Sequence, residues 1–220
     1  MKLYDTQRSG NAWKVRLLAG LLNRPLQRVT LSIDRGNLGD PEFLKRSPLG
    51  MVPTLELDDG RTISESIAIL QFLAHGTHWW PISAVDQAFV LMWMSFEQSQ
   101  HMHPLAQLRL HLSLRRDRKV GDEDMVRFKA EAERALRLLD GQLARQGSSG
   151  WVATLAHPSI ADVALYPYTR LANMSGIDLR AFQNLLPWLA RMESLPGYQP
   201  LFPGRPELNF ATVELEHEAK

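Results

Sequence analysis

The stretch from Gly50 to Ile67 (Gly-Met-Val-Pro-Thr-Leu-Glu-Leu-Asp-Asp-Gly-Arg-Thr-Ile-Ser-Glu-Ser-Ile) limits the possible folds more than any other part of the chain. An apolar strand follows Val52-Pro53, Asp59-Gly60 turns it back, and Thr62-Ile63 makes a second short strand. Asp-Gly between two β-rich runs is a strong hairpin signal. Ser64-Glu65-Ser66 then opens a helix that continues through Ile67, Ala68, Ile69, Leu70, Gln71, Phe72 and Leu73. A Val-Pro entering a strand removes one ladder donor and, if cis, exposes the Val52 peptide to a partner strand. Free N–H groups at a helix start suit an anion, and the Ser66 hydroxyl adds a donor beside them. Together these parts predict a socket for an extended peptide that ends in a carboxylate.

The rest of the first third frames that hairpin. Lys2 to Asp5 reads as a short strand, and Asn11 to Leu22 as a helix with apolar residues at Trp13, Val15, Leu17, Leu18, Leu21 and Leu22. Gln27 to Ile33 alternates as a strand, and Pro41 to Lys45 suits a short helix. The order βαβ–α–ββ–α is the thioredoxin-like arrangement, and it predicts an α/β domain over residues 1–76. Gly76 to Pro81 holds His78, Trp79 and Trp80, a break with bulky anchors that suits a linker over residues 77–82. Everything from 83 to 206 reads all-helical: Ser83 to Leu114 with a break or kink at Pro104, Asp122 to Gln146, Ser159 to Met174, and Leu179 to Leu195. Ser159-Ile160-Ala161-Asp162 has the form of a capping box. Residues 207–220 are polar and acidic and read as a poorly ordered tail.

Twenty-five basic against twenty-four acidic side chains leave a net charge of +1, so no global field draws the chain to nucleic acid or an anionic membrane. No apolar run is long enough to cross a bilayer, and Met1-Lys2-Leu3-Tyr4-Asp5 is unlike a secretory leader, so cytoplasm is the expected location. There is no cysteine. That excludes disulfide frameworks, thiolate metal sites and Cys-x-x-Cys redox pairs, so any sulfur chemistry must come from a bound thiol.

Val52-Pro53, the Glu65-Ser66 pair a dozen residues on, and the helix after it resemble the glutathione-binding half of cytosolic glutathione transferases. The Ser159–Asp162 box is similar to one in that family's second domain, and the resemblance covers nearly the whole chain. It implies a thioredoxin-like domain followed by an all-α domain. Val52 and Pro53 would pair with the cysteinyl backbone of glutathione, and Glu65 and Ser66 would hold its γ-glutamyl end. Ser9-Gly10-Asn11, with Lys14-Val15 after it, resembles bacterial transferases near the nu class, where a hydroxyl residue and an asparagine flank the sulfur. Ser9 and Asn11 are therefore the candidate catalytic residues.

A thiol with pKa near 8.5 is mostly protonated at neutral pH, so a protein must stabilise its thiolate to make a nucleophile. A hydroxyl or amide aimed at the sulfur does this, helped by the positive end of the helix that starts near Asn11. Capping of the same helix by Ser9 or Asn11 is compatible with that role. Tyr4 is the rival donor, although it lies within the strand rather than in the loop. The resemblance also implies that Arg35 meets the glycine carboxylate and that Gln98, beside Glu97, reaches the γ-glutamyl group of a neighbouring subunit. Met51 stands where many relatives carry a basic residue.

His101, His103 and His111 do not make a metal site, because an i, i+2 pair points to different sides of a helix. Arg115 to Lys119 reads as a solvated basic loop. Val90, Leu91, Met92, Trp93 and Met94 run together within Phe89–Phe96, so the helix must be covered on more than one face, which fits a homodimer seam. The expectation is a homodimeric glutathione transferase that uses no metal, takes glutathione as co-substrate and directs its thiolate onto a hydrophobic electrophile. The alternatives are glutathione-dependent disulfide reduction on the same fold and a non-catalytic ligand-carrying or interaction module.

Overall fold

A computed structural model describes residues 1–32 and 36–202. Four strands, β1 (Lys2–Asp5), β2 (Gln27–Thr30), β3 (Thr54–Glu56) and β4 (Thr62–Ser64), form one sheet in the order β2-β1-β3-β4. β1 runs parallel to β2 and antiparallel to β3, and β3 pairs antiparallel with β4. Gly60, at φ 84°, makes the hairpin turn with its N–H on the Leu57 carbonyl at 3.0 Å. This is the left-handed backbone for which glycine pays no steric penalty. α1 (Gly10–Leu21) connects β1 to β2, α2 (Pro41–Leu44) is a single turn capped by Asp40, and α3 (Ser66–Ala74) follows the hairpin.

The second unit contains α4 (Ala84–Phe96), α5 (Met102–Leu108), α6 (Glu123–Gln146), α7 (Ile160–Arg170) and α8 (Leu185–Glu193). The predicted long helix is continuous from Ala84 to Arg115 but widens into π geometry at Glu97–His101 and again at Arg109–Arg115. Pro104 lies just past the first widened turn. It has no N–H to give, and its ring would strike the carbonyl one turn back, so the wider turn relieves both problems without ending the helix. In the Ser159–Asp162 box the Ser159 hydroxyl accepts from the Ala161 N–H at 3.2 Å and Asp162 accepts from the Ser159 N–H at 2.9 Å. The same Asp162 carboxylate takes the Val152 N–H and the Trp188 indole, each at 3.0 Å, so the cap also ties three segments together.

α1 is covered on two sides. It packs against α3 on one side and against α7 of the helical unit on the other, with Trp13, Val15, Leu17 and Leu18 fully buried. Trp79, between α3 and α4, is also buried, and its carbonyl accepts from the Ile160 N–H at 3.1 Å at the start of α7. The thioredoxin-like sheet domain followed by a helical region is the fold class that the sequence predicts. No helix among the described residues is long and apolar enough to cross a membrane. The predicted tail at 207–220 lies outside the described residues.

Candidate active site

The strand registers bring Val52-Pro53 and Glu65-Ser66 to one end of the sheet. Tyr4 pairs with Thr54, and Thr54 pairs with Ser64. Continuing the same registers sets Val52-Pro53 between the loop at Thr6 on one side and Glu65-Ser66 on the other. The Val52–Pro53 peptide is cis. Its approach is held by Ser47 and Thr54: Ser47 Oγ donates to the Met51 carbonyl at 3.0 Å, and Thr54 Oγ1 reaches the same carbonyl at 2.9 Å. Met51 itself is exposed.

Glu65 sits at the N-cap of α3 with φ 72° and ψ 119°. A non-glycine residue at such an angle costs about 1–3 kcal/mol and concentrates at functional sites. Its side chain is exposed and does not cap the helix, so local hydrogen bonding gives no reason for the strain. Ser66, the next residue, is buried.

Ser9 caps α1. Its Oγ accepts from the Ala12 N–H at 3.1 Å, and no acidic residue occupies the first turn, so the positive end of the helix is left unneutralised. The loop leading to it is clamped by three backbone carbonyls: Thr6 accepts from the Ser9 N–H at 3.1 Å, Gln7 from Arg16 at 3.2 Å and Arg8 from Arg109 at 2.9 Å. Asn11 Oδ1 is buried without a hydrogen-bond partner. A buried amide oxygen left unpaired costs about 1–3 kcal/mol.

Tyr4 is engaged on the neighbouring strand. Its hydroxyl donates to Glu56 Oε2 at 2.7 Å, and burial together with that carboxylate raises its pKa. Glu56 also takes Lys2 at 3.0 Å and Arg46 at 3.2 Å, so the phenol belongs to an ion-pair cluster. Gln98 donates to Glu97 Oε2 at 2.7 Å within its own chain, and the predicted Arg35 lies outside the described residues.

Sequence reasoning missed the polar layer beneath α1. Lys14 and Glu97, both fully buried, form an ion pair at 2.7 Å. Burial pulls the Lys14 pKa down, opposed by Glu97 and by Glu65. The Lys14 ammonium lies 5.5 Å from the centre of the Tyr168 ring. That ring packs so closely on the start of α1 that a Cβ at Gly10 would lie 2.7 Å from Tyr168 Cζ, so only glycine fits between Ser9 and Asn11. Burial pushes the Tyr168 phenol up to about 12, while the Arg109 charge and the Asn11 backbone N–H pull it down. His101, also buried, is driven down to about 3 by burial and by Lys14. The sequence did carry one signal for this layer, a lysine flanked by Trp13 and Val15 in a largely apolar helix. Its partners, 83 and more residues away, carried none.

Among the described residues no cluster of three or more histidine or acidic side chains could hold a metal. A cavity of about 400 Å³ lies at the opposite end of α1, between its last turn, β2 and residues 197–201, and includes neither Ser9 nor Asn11.

A thioredoxin-like sheet with a proline at the entry to β3, joined to a helical second unit, is the architecture of a glutathione-dependent transferase. Comparison with known proteins agrees. The family described as glutathione S-transferase, N-terminal domain, matches residues 8–75. The crystal structure of a glutathione S-transferase from Pseudomonas fluorescens Pf-5 superposes with a TM-score of 0.86 at 33% identity, covering 91% of this chain and 98% of that one. A possible glutathione S-transferase from Rhodopseudomonas palustris gives 0.84 at 36% identity, covering 91% and 97%. Maleylacetoacetate isomerase of Rhizobium meliloti is 28% identical over 211 residues, 92% of this chain and 96% of its own. The chain belongs to the glutathione transferase family.

Proposed function

We propose that this glutathione transferase binds glutathione along the Val52-Pro53 edge, takes its γ-glutamyl end at Glu65-Ser66, and ionises its thiol at Ser9 and Asn11. The observation that carries the reading is the convergence at one sheet end of the Val52-Pro53 strand entry, a strained Glu65 and an uncompensated α1 start. Each part answers a different group of the tripeptide. The β3 entry answers its backbone, the α3 start its charged end, and the α1 start its sulfur. Glutathione is then the co-substrate, and its thiolate attacks an electrophile or a disulfide sulfur while the S–H proton passes to water.

We further read the working form as a homodimer. Val85, Phe89 and Met92, at i, i+4 and i+7 on α4, are exposed by 64%, 49% and 51%, while Val90, Trp93 and Met94 on the other face are buried in the core. An apolar stripe of this kind, exposed on one chain, suits a twofold contact with a second copy. The function is tested by calorimetry with glutathione, followed by assays with an aryl halide, a small disulfide and a cis-enone. Binding together with turnover of any of the three supports the reading. A protein that neither binds glutathione nor turns over any of them is a non-catalytic relative.

A further inference from the structure

Arg109, the first residue of the second π segment, is 4% exposed and has no part in the reading above. One of its terminal nitrogens donates to the Arg8 carbonyl at 2.9 Å, and Nε is buried with no hydrogen-bond partner. Among the described residues no carboxylate forms an ion pair with it. A guanidinium keeps its charge when buried, and a buried charge without a counter-charge is costly.

The charged and titratable groups around it come from every neighbouring element. Burial pushes the Arg109 pKa down, Tyr168 from α7 opposes that, and Arg8, in the loop before α1, adds to it. Lys14 on α1 is matched by Glu97 of the first π segment, whereas His101 of that segment and Tyr168 are both neutral at physiological pH. Lys14 therefore has its anion inside the protein, and Arg109 does not. The unmatched charge lies behind the Arg8–Ser9 peptide, at the start of a helix whose own positive end is also open.

We propose that Arg109 is a positioning residue for the sulfur site: it holds the Arg8 carbonyl, and so fixes Ser9, while its unmatched charge favours the thiolate of a glutathione bound at the start of α1. The inference rests on the placement of the glutathione sulfur at Ser9 and Asn11. The missing counter-anion arrives with the substrate, when the thiol loses its proton to water and the sulfur becomes the negative group that this part of the protein lacks. An opposite charge near an ionising group lowers its pKa by about one to three units.

Two substitutions separate the charge from the hydrogen bond. Arg109→Gln keeps a donor for the Arg8 carbonyl and loses the charge; Arg109→Lys keeps the charge. Thiolate absorbance of bound glutathione, titrated against pH, should show the thiol pKa raised by about one unit in Arg109→Gln, a tenfold loss of thiolate below both values. Arg109→Lys should stay near wild type, and kcat at neutral pH should follow the thiolate fraction. A wild-type pKa in Arg109→Gln, or an equal rise in both variants, overturns the proposal. Should Arg109→Gln fail to fold, the wild-type protein decides, because a buried charge is little screened. Raising salt from about 0.05 M to about 0.5 M should leave the bound-thiol pKa nearly unchanged, and a rise of about one unit overturns the proposal. Wild-type protein that binds no glutathione by calorimetry removes the underlying function and this proposal with it, whereas binding with no response at Arg109 removes the proposal alone.

Discussion

At the scale of single residues, strain and missing partners support the proposed site. Glu65 holds a backbone angle that glycine would adopt more easily, and its carboxylate contributes no helix cap. Glu65→Gly should therefore leave the protein at least as stable to urea while weakening glutathione binding by calorimetry. A lower urea midpoint with unchanged affinity would show the residue to be structural. His101 gives a second prediction. Its Nε2 lies 2.9 Å from Thr169 Oγ1, and that hydroxyl already donates to the Leu165 carbonyl at 2.9 Å, so Nε2 carries the proton and Nδ1 is the unpaired buried nitrogen. With its pKa down at about 3 in the folded chain against an ordinary 6.5, His101 stays neutral where the unfolded chain takes up a proton. Its contribution is present above about pH 6.5 and is lost as the pH falls towards about 3, by up to about 1.4 kcal/mol per pH unit. Urea titrations at about pH 6.5 and about pH 5 should show wild type losing more stability than His101→Gln, and equal losses would refute the assignment. The sequence suggested Ser9, Asn11 and Glu65 through short motifs that resemble those of the transferase family. It said nothing of φ at Glu65 or of the pairing of Tyr4 with Glu56, which depends on a cross-sheet neighbour.

At the scale of elements, the Asp-Gly hairpin, the capping box and the apolar faces of α1 and α6 were readable, since each rests on contacts within a few residues. The two π segments were not. The sequence showed Pro104 and allowed a break, but whether a helix breaks or widens depends on what packs against it. Nor did it show that α1 is tied to the first π segment by Lys14 and Glu97. Removing one partner of a fully buried pair leaves a bare charge and costs about 3–5 kcal/mol, whereas apolar replacement of both is often nearly neutral. Lys14→Met and Glu97→Leu should each lower the urea midpoint sharply, and Lys14→Met/Glu97→Leu should recover most of the loss. Additive losses in the double variant would mean that the two side chains act independently.

At the scale of the whole molecule, the order of units is legible because the change from mixed to purely helical patterning falls at one Trp-rich segment, where Trp79 is buried against α7. Assembly is legible only as an excess of apolar surface. A chain of 25.0 kDa should sediment at twice that mass, and Phe89→Glu with Met92→Glu should return it to the single-chain mass. A monomeric wild type would leave the α4 stripe without its occupant. The central claim concerns the sulfur, and thiolate absorbance of bound glutathione tests it most directly. Ser9→Ala removes a helix cap as well, at about 1 kcal/mol, so the comparison belongs well below the unfolding temperature. The account predicts a thiol pKa well below 8.5 in wild type and a rise of about one to two units in Ser9→Ala/Asn11→Ala, equivalent to one lost charge-assisted hydrogen bond. A folded double variant whose bound glutathione ionises as it does in wild type would contradict it.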